Sequence, residues 1–187
     1  MNHKEIILAS ASPRRKELME DCMLPFTIIP ATAEEFIDAS LSLEEAIEQI
    51  ALTKAASVAQ DHPDSIVIGA DTMVILSGKA LGKPKNAEEA YAMLEALSGK
   101  THTVVTGVAI LEGQHQEVFH ETTSVQFYKL DKDLMEWYLS TNEPFDKAGG
   151  YGIQGYGKLL VSAIQGDYYN VMGLPISRVY RSLKKLL

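Results

Sequence analysis

The amino-acid sequence predicts an α/β fold on a mixed β-sheet, with α+β as the alternative, and three observations carry that expectation. Apolar runs at 6–9, 27–30, 65–70, 73–76, 102–111, 117–128 and 158–164 read as strands, and several are continuous rather than alternating, as strands covered on both faces are. Helical patterns fall between them at 13–22, 43–60, 86–97, 131–140 and 175–186. The long runs 102–111 and 117–128 are joined by "EGQHQ" and read as a hairpin, which brings antiparallel pairing into the sheet.

Taken in chain order, the elements carry their own start and stop signals. The first strand runs into "SASP", where Ser12 is the natural N-cap and Pro13 takes the first helical position, at which its missing N–H costs nothing. Ser42 with Glu45, and Asn86 with Glu89, have capping-box spacing or close to it and open the second and third helices. Gly99 reads as the C-cap of the third helix, leading into the hairpin. Composition shows no linker or low-complexity tract, so residues 1–187 are expected to form one domain, with room for two lobes around one core.

The bulk numbers exclude some function classes. A formal charge of −8, from 17 basic and 25 acidic residues, argues against wrapping a nucleic-acid polymer, because that binding relies on many cations displacing counterions. The single cysteine, Cys22, excludes an internal disulfide and a thiolate-cluster zinc site, and suits a reducing compartment. The N-terminal apolar run stops short of signal-peptide length and nothing approaches ~18 consecutive apolar residues, so the expectation is a cytoplasmic protein that does not span a membrane. The five histidines sit at termini, turns or strands without a Ser-His-Asp context and read as structural.

Two stretches imitate phosphate-binding loops. "SGKTHT" (98–103) ends like a Walker A loop, but the first glycine of that motif falls on Leu94. "GYGIQG" (150–155) satisfies G-x-G-x-x-G literally, yet a helix and a loop precede it and a strand-like segment follows, the reverse of the dinucleotide fingerprint. Its glycines say only that this loop approaches something closely.

The chemistry-bearing positions begin at "ILASASPRRKELM". Arg14 and Arg15 occupy the first turn of a helix, the end that favours acids because its N–H groups and macrodipole are partially positive. A bound phosphate resolves the conflict, the terminus supplying N–H donors and the guanidiniums charge-assisted bonds; two solvated arginines remain the plain alternative. Lys54 falls in the apolar stripe of Ile47, Ile50, Ala51 and Val58, where a lysine is rare unless paired or snorkelling. Asp71 is expected just beyond the carboxyl end of a buried strand, where ligands bind in open α/β sheets. Lys83 in "LGKPK" is a cation held rigidly between glycine and proline, and Glu34 and Glu35 could bind a divalent cation together with Asp71. Each alone has a bland reading; together they are an inventory for phosphoryl chemistry.

Six stretches in order, "LASASPRRKELM", "GADTMV", "LGKP", "SGKTHTVVTGVAI", "EPFDKAGGYGIQG" and "GDYYNVMGLP", closely resemble the Maf family of nucleotide pyrophosphatases, associated also with inhibition of septum formation. The resemblance spans roughly residues 6–181. It implies a Maf/ITPase-like fold, a twisted mixed sheet with flanking helices splayed into two lobes around a central cleft, often as a homodimer. It implies hydrolysis of a nucleoside triphosphate between the α and β phosphates, with a divalent metal such as Mg²⁺ or Mn²⁺. Carried over residue by residue, Asp71 is the proton acceptor, Ser10, Arg14, Arg15, Lys54 and Lys83 hold phosphates, and Glu35 joins Asp71 at the metal. Arg14, Thr72 and Gln154 match the members that look like dTTP/UTP pyrophosphatases rather than those acting on 7-methyl-GTP. A glutamine amide offers a donor and an acceptor to the O4 and N3–H edge of uracil or thymine. The alternatives are a purine-type or 7-methyl-GTP pyrophosphatase, and a nucleotide-binding regulator of cell division that does not hydrolyse its ligand. Asp71 separates the last from the enzymes, since an acid near a polyanion makes sense mainly if it binds metal or takes a proton.

Overall fold

The computed structural model describes residues 4–33 and 40–187. In chain order the elements are β1 (Ile6–Leu8), α1 (Pro13–Glu20), β2 (Thr27–Ile28), α2 (Leu43–Ala59), β3 (Ile66–Leu76), β4 (Lys79–Leu81), α3 (Ala87–Leu97), β5 (Thr101–Glu112), β6 (His115–Phe127), α4 (Lys132–Ser140), β7 (Val161–Gln165), α5 (Tyr168–Met172) and α6 (Ile176–Leu186). Short 3₁₀ turns at Glu143–Asp146, Ala148–Gly150 and Gly157–Leu159 fill the stretch between α4 and β7.

The seven strands form one sheet in the order β2-β1-β3-β5-β6-β7, with β4 paired to β3. β1 pairs in parallel with both β2 and β3, whereas β4 and β7 run antiparallel to β3 and β6, so the sheet is mixed as expected. The helix starts also follow the sequence signals. Ser12 Oγ accepts from Arg15 N, Ser42 and Glu45 form a reciprocal capping box, and Asn86 accepts from Glu89 N. Gly99, at φ 69, ends α3 and donates its N–H to Tyr128 O.

Four expectations need correcting. The runs 65–70 and 73–76 are one strand, β3, in which Asp71 and Thr72 interrupt the burial without ending the strand. The hairpin turn is tighter than "EGQHQ": β5 runs to Glu112, β6 starts at His115, and Gly113 takes a positive φ of 54. β7 starts at Val161, since Gly157–Leu159 is a 3₁₀ turn. β4 and α5, three and five residues long, are too short to show a period and were not expected.

The chain divides into two compact units, the first comprising 1–71, 106–121 and 173–187, the second 72–105 and 122–172. β3, β5 and β6 each contribute residues to both. The first unit buries Ile7, Ala9 and Val67 of the sheet against Ala51, Ala55 and Val58 of α2. The second closes around Leu94 and Leu97 of α3, Phe127 of β6, and Met135 and Tyr138 of α4. Among the described residues no helix is long and apolar enough to cross a membrane.

Candidate active site

In the first unit the site begins where the parallel strands end. Leu8 of β1 is level with Ile68 of β3, and Ala9 N donates to Ile68 O, so Ser10 emerges beside the stretch of β3 that leads into Asp71. Ser10 is buried and its Oγ accepts from Ser12 N and from the Arg15 guanidinium, both at 3.2 Å. Arg15 is itself buried, and its Nε donates to Gly173 O at 2.7 Å. The two arginines expected to act alike are therefore placed differently. Arg15 braces the start of α1 from beneath, while Arg14, one residue earlier, is half-buried.

Asp71 lies inside β3 rather than beyond its end, because β3 continues past its parallel partner β1 to pair with β4. Lys54 Nζ donates to Asp71 Oδ1 at 2.6 Å, with 15% and 21% of the two side chains exposed. The lysine on the apolar stripe is thus a paired one.

What brings Lys54 over Asp71 is Gly69, two residues earlier on the same strand and hence on the same face. A Cβ there would sit 2.4 Å from Ala51 O and 2.6 Å from Ala55 N. Gly107 on β5 does the same further along α2, where a Cβ would lie 2.4 Å from Ile47 O. Helix and sheet touch backbone to backbone, which is why a side chain as long as lysine can turn back onto the strand. Gly69 was missed as a functional position, although a glycine inside "SIVIGADTMVI" carries the signal of close backbone approach.

In the second unit Lys83 is exposed between Gly82, whose carbonyl accepts from Gly149 N at 3.0 Å, and the buried Pro84. Thr72 follows Asp71 on β3 and faces the opposite side of the strand. Gln154 is half-buried in the loop 150–157 and its amide takes no hydrogen bond from the described residues; it borders a cavity of about 490 Å³ with Ile153, Lys158, Ser162 and Tyr168. Glu34 and Glu35 lie outside the described residues, so the expected second metal-binding acid has no structural account. Among the described residues no group of three His, Cys, Asp or Glu side chains could hold a metal.

Of the glycines of "GYGIQGYG", Gly155 approaches an acid, Glu143, while Gly152 lies against Lys147 and Gly157 against Gly152 O. Glu143 accepts from Tyr156 N at 2.8 Å on Oε2, and from Gly157 N at 3.2 Å and Tyr138 Oη at 3.1 Å on Oε1. Gly152 N donates to Tyr138 Oη at 3.2 Å. Burial pushes the Tyr138 phenol well above its ordinary value, so it stays a neutral donor. Glu143 has no sequence signature, because its partners are mostly main-chain N–H groups.

Two groups, His102 and Cys22, lie outside the site. His102 is 2% exposed in an edge-to-face cluster with Phe127 and Tyr151; burial lowers its pKa to about 4, so it is neutral near pH 7. Its Nε2 is 2.7 Å from Tyr151 Oη and its Nδ1 has no partner. The tautomer that orphans no buried N–H carries the proton on Nε2. Burial, with Asp21 adding to it, raises the Cys22 thiol above its ordinary pKa, the opposite of an activated nucleophile.

Comparison with known proteins finds relatives over nearly the whole chain. A dTTP/UTP pyrophosphatase of Bacillus cereus is 50% identical over 182 residues, 97% of this chain and 95% of that protein. One from Halalkalibacterium halodurans is 50% identical over 181 residues, again 97% and 95% of the two chains, and one from Bacillus velezensis is 49% identical over 182 residues, 97% and 96%. Among solved structures, the Staphylococcus aureus Ham1 protein aligns at a TM-score of 0.48 and 18% identity, covering 82% of this chain and 78% of that one. The family model described as Maf-like protein matches residues 5–186, and the chain belongs to the Maf family.

Proposed function

We propose that this chain is a nucleoside triphosphate pyrophosphatase that hydrolyses dTTP and UTP to the monophosphate and pyrophosphate. The observation that carries the reading is the Lys54–Asp71 pair, an acid on β3 held by a cation of the phosphate-binding set. The names of relatives about half identical over nearly the whole chain support the same activity.

Lys54 occupies Oδ1 of Asp71, whereas Oδ2 accepts no hydrogen bond from the described residues and the side chain is partly open to solvent. That oxygen is available to take a proton from a water attacking the α-phosphorus. The bond from the α-phosphorus to the bridging oxygen then breaks and pyrophosphate leaves. Arg14, Lys54 and Lys83, with the N–H groups opening α1, neutralise the triphosphate and the charge that builds on the leaving group. Arg15, engaged with Gly173 and Ser10, keeps that helix start in place and adds charge from beneath. A hard divalent cation such as Mg²⁺ or Mn²⁺ suits a carboxylate with a free oxygen; Asp71 and Glu35 would hold it, and it would supply further charge neutralisation. Gln154, with Arg14 and Thr72, selects the pyrimidine.

The test is pyrophosphate release from dTTP, UTP, CTP, GTP, ATP and 7-methyl-GTP with Mg²⁺ or Mn²⁺, for the native chain and Asp71→Asn. The expected result is preference for dTTP and UTP, with turnover falling about 10²–10⁴-fold in the variant while affinity changes only a few fold, because a proton acceptor is removed and no cation is. Equal losses of binding and turnover would count against Asp71 as the base. Tight triphosphate binding with no release from any nucleotide would make the protein a regulator instead.

A further inference from the structure

Gln154 sits in irregular backbone, yet little of that backbone is free. Gly152 N is tied to Tyr138 Oη, and Tyr156 N and Gly157 N are tied to the Glu143 carboxylate, so the loop is pinned on both sides of residues 153–155. Tyr138 in turn donates to Glu143 Oε1, which gathers all three anchors on one acid. No cation reaches that carboxylate among the described residues. The nearby Lys147 Nζ donates to the main-chain oxygen of Glu143 and to Asp146. The acid's charge is thus directed at main-chain and phenolic donors, which strengthens each of those bonds. The glycines permit the grip: a Cβ on Gly155, at φ 60, would lie 2.5 Å from Glu143 Oε2, and one on Gly157 would lie 2.0 Å from Gly152 O. Between the anchors the Gln154 amide has no partner among the described residues and lies at the edge of the cavity.

We propose that Glu143 is the positioning residue for Gln154, and that through this loop it sets the preference for uracil and thymine over other bases. The proposal rests on the reading of Gln154 as the base-selecting residue. A pinned backbone fixes where the Gln154 side chain starts and which way it leaves the loop, and so narrows the positions from which its donor and acceptor can meet O4 and N3–H in register. A released loop lets the amide turn, and discrimination against cytosine, which presents an amine where uracil presents O4, is lost first.

The experiment uses the full chain with Glu143→Gln, which sets an amide N–H₂ against one of the donors now held, whichever way the amide lies. The quantity read is the ratio of kcat/KM for UTP to that for CTP. It should fall about tenfold or more, mainly through KM for UTP, with kcat for UTP kept within about threefold. Gln154→Ala should give the same fall, and the double variant no further one. Trp137, the only tryptophan, packs edge-on against Tyr156 with ring centroids 5.6 Å apart, so its fluorescence should change in Glu143→Gln and not in Gln154→Ala. If Gln154→Ala collapses the ratio and Glu143→Gln leaves it unchanged, the positioning role is overturned and the reading of Gln154 stands. A ratio unmoved by Gln154→Ala overturns both. Should Glu143→Gln fail to fold, Tyr138→Phe removes one donor and leaves Gly152 N–H without its acceptor; a smaller fall in the ratio is expected, and an unchanged ratio overturns the proposal.

Discussion

The two units place their candidate residues by different means. In the first, Ser10, Arg15, Lys54 and Asp71 sit on or beside regular elements and hold one another: Lys54 to Asp71, Arg15 to Ser10 and to Gly173 O. In the second, Lys83 and Gln154 project from loops without a side-chain partner among the described residues, and only the backbone around them is anchored. Most groups assigned to chemistry common to every triphosphate stand where helix and sheet packing over-determines geometry, Lys83 being the exception. Of the groups assigned to choosing the base, Gln154 stands where a few main-chain bonds hold the chain, so its part of the selectivity can change without dismantling the apparatus for hydrolysis.

That division can be broken in order of effect. The largest change should come from Gly69→Ala, because its methyl would meet the Ala51 carbonyl and force α2 off β3. Overpacking against backbone belongs at or above the upper end of the ~1–3 kcal/mol typical of such changes. Turnover should fall with stability as Lys54 leaves Asp71, while the ratio of UTP to CTP among the turnovers that remain stays as in the native chain; paired denaturant melts and pyrophosphate assays read both. A changed ratio would show that selectivity is not independent of the first unit.

The second prediction concerns acid. His102 in the folded protein titrates near 4, below the ~6.5 of an unfolded histidine, so between those values the unfolded chain binds more protons and stability falls as pH is lowered. The loss should reach on the order of 2–3 kcal/mol by pH ~4. His102→Gln, which keeps a donor for Tyr151 Oη and does not titrate, should flatten that part of the urea-melt pH profile. An unchanged profile would place the acid sensitivity elsewhere.

The smallest effect sharpens the contrast from the other side. Asn86→Ala removes the cap that accepts Glu89 N at 2.8 Å and should cost about 1 kcal/mol, seen as a lowered urea midpoint. The cap belongs to the second unit but not to the Gln154 loop, so base preference should not move. If it does, selectivity follows stability in general rather than the Glu143 anchor.

These positions also show what a sequence can display. The start of α1 was legible because Ser12 and Pro13 act on their own neighbours, and the same holds for Ser42 and Asn86. The place of Asp71 within β3 was not, because pairing of Val74 with Leu81 decides where the strand ends and that pairing is not written in residues 66–71. Lys54 announced itself as an anomaly on an apolar stripe, and its partner is an acid seventeen residues on. Arg15 read as a twin of Arg14 because adjacency in sequence hides that one guanidinium points under the helix. Glu143 opens one of the quoted stretches, "EPFDKAGGYGIQG", yet nothing marks its role, since an acid that binds main-chain N–H groups needs no particular residue types around it.

Arg15 Nε meets Gly173 O across 158 positions of chain, and the first unit is closed by residues 173–187, with Val179 and Leu183 of α6 fully buried. During synthesis, the helix that carries Arg14 and Arg15 is made early, yet the carbonyl that holds Arg15 follows 158 residues later. At translation rates of roughly 5–20 residues per second, about 8–30 s separate the two, so the start of α1 waits that long for this brace. Residues 72–172, which hold the whole second unit, are all made before Gly173, so every segment of that unit exists before the Arg15 brace can form.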